Sequence, residues 1–135
     1  MKFEVLEHTG DVGLKFYGKT YQELLGNAVS GTADLIGKPI DKCRRVRKTI
    51  SLGSTNFEDL LLQVLSKVVF SFEVDEILID SVETFEFRKN GVSDVVLSGC
   101  RTGKNFQYHY VLKAPTYYRL EINLEQGYGI VIFDI

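Results

Sequence analysis

The sequence has little excess of either positive or negative charge, and its apolar runs are short. Each of these absences argues against a class of function. The 135 residues carry 16 Lys and Arg against 18 Asp and Glu, which gives a net charge of −2. Proteins that bind nucleic acid through its phosphates usually carry a basic excess, and the chain as a whole has none. The longest apolar stretches, such as residues 130–133, are far shorter than the roughly 20 residues of a membrane-spanning helix. We therefore expect no association with a membrane.

Cysteine and proline are also rare, with two residues of each. Cys43 and Cys100 form no Cys-x-x-Cys pair and have no histidine at metal-ligand spacing, so we expect two reduced thiols. The N-terminus alternates charged and apolar residues, which does not fit a secretory signal peptide. Neither proline is spaced as in a linker, and the length suits one hydrophobic core. These features predict a single domain over residues 1–135 in the cytoplasm.

Two segments have the apolar spacing of amphipathic helices, and each follows a capping signal. Thr20 and Glu23 read as a capping box, in which the hydroxyl accepts from the Glu23 amide and the carboxylate reaches back to the Thr20 amide. Gly37, with a proline two residues beyond it, predicts the end of this helix. Residues 55–58 (TNFE) read as a second capping box that opens the other helix.

Most of the remaining chain alternates with the period of β-strands. Residues 90–91 (NG) predict a hairpin, because both residue types tolerate positive φ, and a last hairpin is expected around residues 126–127. Residues 130–133 are apolar without a break, which is typical of a central strand buried on both faces. The helices come early and the strands dominate late, so we predict an α+β fold. Its expected form is two-layer, with two helices packed on one face of a mixed, largely antiparallel sheet.

Residues 42–48 (KCRRVRK) contain five cations and are the exception to the low positive charge. Val46, Ile50 and Leu52 alternate with polar residues, which predicts a half-buried strand with a solvated basic face. A patch that contacts RNA phosphates or an acidic partner is the alternative.

Two carboxylates stand out by their position. Asp11 lies in a glycine-flanked turn between apolar strands, and Asp134 follows four apolar residues and precedes Ile135. If the fold brings these positions together, three carboxyl groups converge, counting the chain terminus. Such an all-oxygen set suits a hard cation, Ca²⁺ or Mg²⁺ with Mn²⁺ as a further option, rather than Zn²⁺. The alternatives are a turn residue that bonds its own backbone and a solvated tail.

Other residues of chemical interest are few. His8 is expected to form structural hydrogen bonds, because no Ser or Cys partner is arranged for nucleophilic chemistry. Lys113 lies in a loop that enters a strand, where it is either a positioned or a solvated cation. Residues 10–13 match no phosphate-binding loop. The sequence therefore offers no catalytic residue.

Several segments, taken together and in order, resemble the archease family. They are the N-terminal strand, residues 8–13 (HTGDVG), the lead at residues 17–20 (YGKT) into a capped helix, residues 113–117 (KAPTY) and the chain end at residues 132–135 (IFDI). Each is weak alone, but together they span essentially the whole chain. Two positions depart from the family pattern: Gly10 stands where alanine is usual, and Tyr118, to which we assign no role, stands where many members have histidine.

The resemblance implies a chaperone-like accessory protein of the RtcB-type tRNA-splicing ligase, and not an enzyme. Such a protein promotes guanylylation and multiple turnover of the ligase, and meets RNA only through it. The resemblance implies a divalent metal, Ca²⁺ first and Mg²⁺ or Mn²⁺ otherwise, held by Asp11, Asp134 and the main-chain oxygens of Ile135. It also implies functional contacts at Lys113 and His8. Two rivals remain open: a stand-alone metal-dependent phosphohydrolase, and a small RNA-binding module.

Overall fold

The described part of the chain contains two helices and nine strands. The computed structural model describes residues 1–54, 56–87, 91–103 and 105–135, without the side chains of residues 8 and 87. The order is β1 (Phe3–His8), β2 (Asp11–Tyr17), α1 (Tyr21–Ile36), β3 (Gly37–Pro39), β4 (Arg44–Gly53), α2 (Phe57–Asp75), β5 (Ile77–Phe87), β6 (Val92–Arg101), β7 (Phe106–Tyr108), β8 (Ala114–Asn123) and β9 (Tyr128–Asp134).

The described strands form three sheets, in the orders β1-β2-β9-β8, β3-β7 and β4-β6-β5, and every described pair is antiparallel. Helix α1 contacts β2 and β5, and α2 contacts β5 and β8, so the helices bridge the two larger sheets. The predicted α+β class is confirmed. We predicted one sheet, whereas the described strands form three. The short β3–β7 sheet was not predicted at all.

The core lies between the helices and the inner faces of the sheets. Strand β9 is central in its sheet, as predicted, and Val131 and Phe133 are fully buried. Helix α1 approaches β2 closely at Gly31, where an added Cβ would lie 2.7 Å from a methyl carbon of Leu14. This close packing fixes β2, and with it the carboxylate at its first residue, on the scaffold.

Both predicted helix starts are present. In each of them, one residue of the predicted capping arrangement is replaced by its neighbour in the sequence. The Thr20 hydroxyl accepts from the Glu23 amide at 3.0 Å, as predicted, but the Glu23 carboxylate accepts from the Lys19 amide and not from that of Thr20. Helix α2 is capped by Asn56, whose side chain accepts from the Asp59 amide at 2.8 Å. Asparagine is a stronger N-cap than threonine, which accounts for the shift. Residue 55 lies outside the described residues.

The prediction of two reduced thiols is wrong, because Cys43 and Cys100 form a disulfide with their Cα atoms 5.5 Å apart. The bond ties the segment before β4 to the end of β6. The ladder that pairs Arg45 with Cys100 brings the two cysteines together, and their spacing in the sequence gives no sign of this contact. Because these cysteines are not reduced thiols, they do not support a cytoplasmic location. That location stays a prediction. No helix in the described parts of the chain is long and apolar enough to cross a membrane.

Reduction of this disulfide should destabilise the protein. The cysteines are 57 residues apart, and closing a loop of that length removes enough unfolded-chain entropy to stabilise a fold by about 4 kcal/mol. We expect dithiothreitol to lower the urea midpoint of the parent. A Cys43→Ser variant should unfold near the midpoint of the reduced parent and show no further response. The pairing would be contradicted if dithiothreitol left the urea midpoint of the parent unchanged and two free thiols were titrated in the untreated protein.

Candidate functional site at one end of the four-stranded sheet

The candidate site is a row of residues that crosses the four-stranded sheet at one end. Register pairs His8 with Asp11 across β1 and β2, Asp11 with Asp134 across β2 and β9, and Ala114 with Asp134 across β8 and β9. The Lys113 amide extends the row by donating to the Asp134 carbonyl oxygen at 2.8 Å. The second and last strands of the chain thus meet and bring Asp11 and Asp134 together, as the predicted metal site requires.

Asp11 and Asp134 lie directly opposite each other, so their side chains share one face of the sheet, with Cβ atoms about 5 Å apart in such pairs. Their neighbours Val12 and Phe133 are fully buried against the helices. Because side chains alternate along a strand, the two carboxylates are on the outer face. The core therefore determines which way the acids point.

One oxygen of this pair lacks a partner. Asp11 Oδ1 is buried and accepts no hydrogen bond from any described residue. A buried carboxylate oxygen without a donor is unfavourable unless a cation or a donor approaches it. Asp134 and Ile135 are exposed, so a ligand or partner has access from solvent.

The oxygen ligands available at the sheet end suit a hard divalent cation in type but are too few to hold it alone. Among the described residues, no group of three or more His, Cys, Asp or Glu side chains is placed to hold a metal ion. Two carboxylates are present, and further oxygens would have to come from the main chain of Ile135 and from solvent. The role of Asp11, Asp134 and Ile135 as ligands stays a prediction, and the side chain of His8 lies outside what the structure describes.

Lys113 is exposed and lines an open groove of about 630 Å³ between α2 and β8, together with Lys67, Phe70 and Tyr117. The Tyr117 hydroxyl donates to the Asp59 carboxylate, and this hydrogen bond raises the pKa of Tyr117. The contact joins β8 to the first turn of α2. The functional contact assigned to Lys113 by resemblance remains untested, although the side chain is accessible.

Three of the five cations in the basic run pair with acids from distant parts of the sequence. Arg45 pairs with Asp80 at 2.6 Å, Arg47 with Glu83 at 2.6 Å and Lys48 with Asp75 at 2.8 Å. The hydrogen bond from Lys48 lowers the pKa of Asp75, and that to Asp80 raises the pKa of Arg45.

This arrangement favours the solvated strand over a phosphate-binding patch. The two acidic partners on β5, Asp80 and Glu83, were not predicted, because irregularities in β5 at residues 79–81 and 82–84 offset its pairing with β6. Alternation along a single strand does not predict such offsets.

Comparison with known proteins gives one consistent result. A model of the archease protein family (MTH1598/TM1083) matches residues 3–135. The protein archease of Thermoplasma volcanium is 36% identical over 142 residues, with 100% of both chains covered. That of Thermoplasma acidophilum is 35% identical over 137 residues and covers 100% of this chain and 94% of its own length.

Two solved structures share the fold. The solution structure of Methanobacterium thermoautotrophicum protein 1598 superposes with a TM-score of 0.68 at 20% identity, over 98% of both chains. The crystal structure of a Thermotoga maritima archease, described as a possible chaperone, gives a TM-score of 0.61 at 20% identity, over 98% of this chain and 96% of that one.

Metal binding at the sheet end should appear as added thermal stability. An ion that binds only the folded state stabilises it by about 2.7 kcal/mol at one hundred times its Kd. We expect the parent to unfold at a higher temperature in Ca²⁺ than in EDTA, and Asp11→Asn to lose this response. Asp34→Asn, an exposed change on α1, is the matched control and should keep it. No shift in the parent, or equal shifts in all three proteins, would rule out ligation by Asp11.

Proposed function

This chain belongs to the archease family, and on that premise we propose that it is an accessory protein that activates the RtcB-type tRNA-splicing ligase. In this proposal it promotes guanylylation of the ligase and allows each ligase molecule to complete many turnovers. The partner is the ligase itself, and RNA is met only through it. The observation that carries the proposal is the pairing of Asp11 with Asp134 at an accessible end of the sheet.

The proposal assigns a holding role to three residues. Asp11 and Asp134 would supply carboxylate oxygens, and Ile135 would supply main-chain oxygens, to a divalent cation such as Ca²⁺, Mg²⁺ or Mn²⁺. A bound divalent cation supplies neutralisation of phosphate charge, which is the main requirement of nucleotidyl and phosphoryl transfer. The buried, unpartnered Oδ1 of Asp11 supports this assignment because it already lacks any described donor.

The surroundings support a role at the surface of a partner. Asp134, Ile135 and Lys113 are exposed, so the sheet end can approach the nucleotide site of another protein without unfolding. The backbone bond from Lys113 to Asp134 holds the lysine next to the acidic pair. In the proposal Lys113 provides a cationic contact to the ligase or to its nucleotide.

The two rival functions receive less support. A phosphohydrolase needs a general base beside its metal ligands, and no third acid or histidine among the described side chains joins Asp11 and Asp134. An RNA-binding module needs free cations, whereas three of the five cations of residues 42–48, Arg45, Arg47 and Lys48, are each paired with an acid.

A multiple-turnover RNA ligation assay with the cognate ligase tests the proposal. With the ligase limiting, we expect the parent to raise ligated product well above one molecule per ligase. Asp11→Ala and Asp134→Ala should leave product near one per ligase, because each removes a carboxylate of the pair. Asp34→Ala should stimulate as the parent does.

Two further readouts separate the proposal from its rivals. Labelled GTP should show faster formation of guanylylated ligase with the parent than with Asp11→Ala. The protein alone, with Mg²⁺ or Mn²⁺, should leave phosphate esters intact. Full stimulation by Asp11→Ala would remove the carboxylate mechanism, and ester hydrolysis lost in that variant would favour the phosphohydrolase.

A further inference from the structure

A second cavity, of about 260 Å³, lies between the C-terminal half of α2 and the segment that follows β6. Its apolar wall includes Phe72, Phe106, Tyr108 and Val111. It shares neither Asp11 nor Asp134 with the candidate metal site. Nothing in the proposed activation of a ligase through those carboxylates uses this cavity.

Three aromatic rings form a continuous surface on one side of the cavity. The ring centroids of Phe72 and Phe106 are 4.8 Å apart, those of Phe106 and Tyr108 are 4.9 Å apart, and those of Phe72 and Tyr108 are 5.9 Å apart. The rings pack on one another, so a ligand would lie beside the cluster and not within it. Tyr108 is 63% exposed and Val111 is 70% exposed, which leaves much of the apolar rim open to solvent.

Two glutamates, Glu73 and Glu76, also line the cavity, and Glu73 lines the neighbouring groove of Lys113 as well. Both are exposed, and the ion pairs among the described residues use other carboxylates. Glu76 caps α2 in the left-handed conformation, with φ of 55°, where glycine is the usual residue. The amide and hydroxyl of Thr102 both bond to its carbonyl oxygen, at 2.8 and 3.0 Å, and hold this conformation beside the cavity.

Aromatic faces and carboxylates at one cavity favour a positively charged ligand with an apolar stem. A cation is attracted by the electron-rich faces of aromatic rings, and a long basic side chain buries its methylene groups while its charge stays near the rim. An RNA strand is disfavoured, since the glutamates would repel its phosphates.

We propose that this cavity binds a lysine or arginine side chain carried by a short segment of a partner protein in which apolar residues flank the cation. The aromatic wall contacts the apolar stem of the side chain, and Glu73 and Glu76 pair with its charge. The exposed apolar rim contacts the flanking residues. The site would provide an anchor on the partner that is separate from the acidic pair at the sheet end.

The test measures binding of a synthetic nonapeptide, with one lysine between leucines, to the full-length protein. Binding is detected by changes in the NMR shifts of residues 102–112. A matched peptide with norleucine in place of lysine lacks only the charge. We expect the norleucine peptide to bind about fivefold more weakly, which corresponds to one or two exposed ion pairs. Higher salt should weaken the lysine peptide and leave the norleucine peptide nearly unchanged.

Variants locate the interaction. The double variant Glu73→Gln with Glu76→Gln should weaken the lysine peptide by about fivefold and leave the norleucine peptide unaffected. Tyr108→Ala should weaken both peptides, because it removes the apolar wall. Glu125→Gln, an exposed change that lines neither cavity, is the matched control and should change nothing.

Several results would overturn the proposal. Equal binding of the two peptides, absence of shifts in residues 102–112 at millimolar lysine peptide, or an equal loss in the Glu125→Gln control would each do so. The ligation assay with Asp11→Ala reports separately on the sheet end, so failure of one proposal does not imply failure of the other.

Discussion

The antiparallel pairing of β2 with β9 is the interaction on which the candidate site depends. It joins the second strand of the chain to the last one and places Asp11 opposite Asp134. The register is fixed by the buried residues next to the acids, Val12 and Phe133. A slip of one residue would exchange the two faces of a strand, so it would bury a carboxylate and expose a core side chain. Core packing therefore sets the geometry of the acidic pair.

Asp11 differs in its surroundings from the acids that pair with the cations of β4. Asp80, Glu83 and Asp75 each meet a cation from β4, and these pairs cover the outer side of the three-stranded sheet and its junction with α2. At the sheet end, the buried oxygen of Asp11 meets no described donor. A buried carboxylate oxygen without a donor is unfavourable for folding, so Asp11 is a better candidate for ligand binding than for stability.

The local signals of the sequence were sufficient for the class of fold and for most elements. Thr20 and Gly37 bound α1 as predicted, because caps act within a few residues. The Cys43–Cys100 disulfide, the β3–β7 pair and the acidic partners of β4 were missed, because each joins segments that are distant in sequence. For the candidate site, residue type and resemblance suggested Asp11 and Asp134, but only the ladder shows that they face each other. The aromatic and acidic cavity beside α2 could not be predicted, since its lining comes from several separate elements.

Paramagnetic broadening by Mn²⁺ is the most direct measurement of the central claim, that the two chain ends together bind a hard divalent ion. Substoichiometric Mn²⁺ added to isotope-labelled protein broadens NMR signals near the ion first. The account predicts that the amides of residues 8–11, 113–114 and 134–135 broaden before all others, and that Ca²⁺ restores them. Broadening centred on other acids, or spread evenly over the surface, would contradict it.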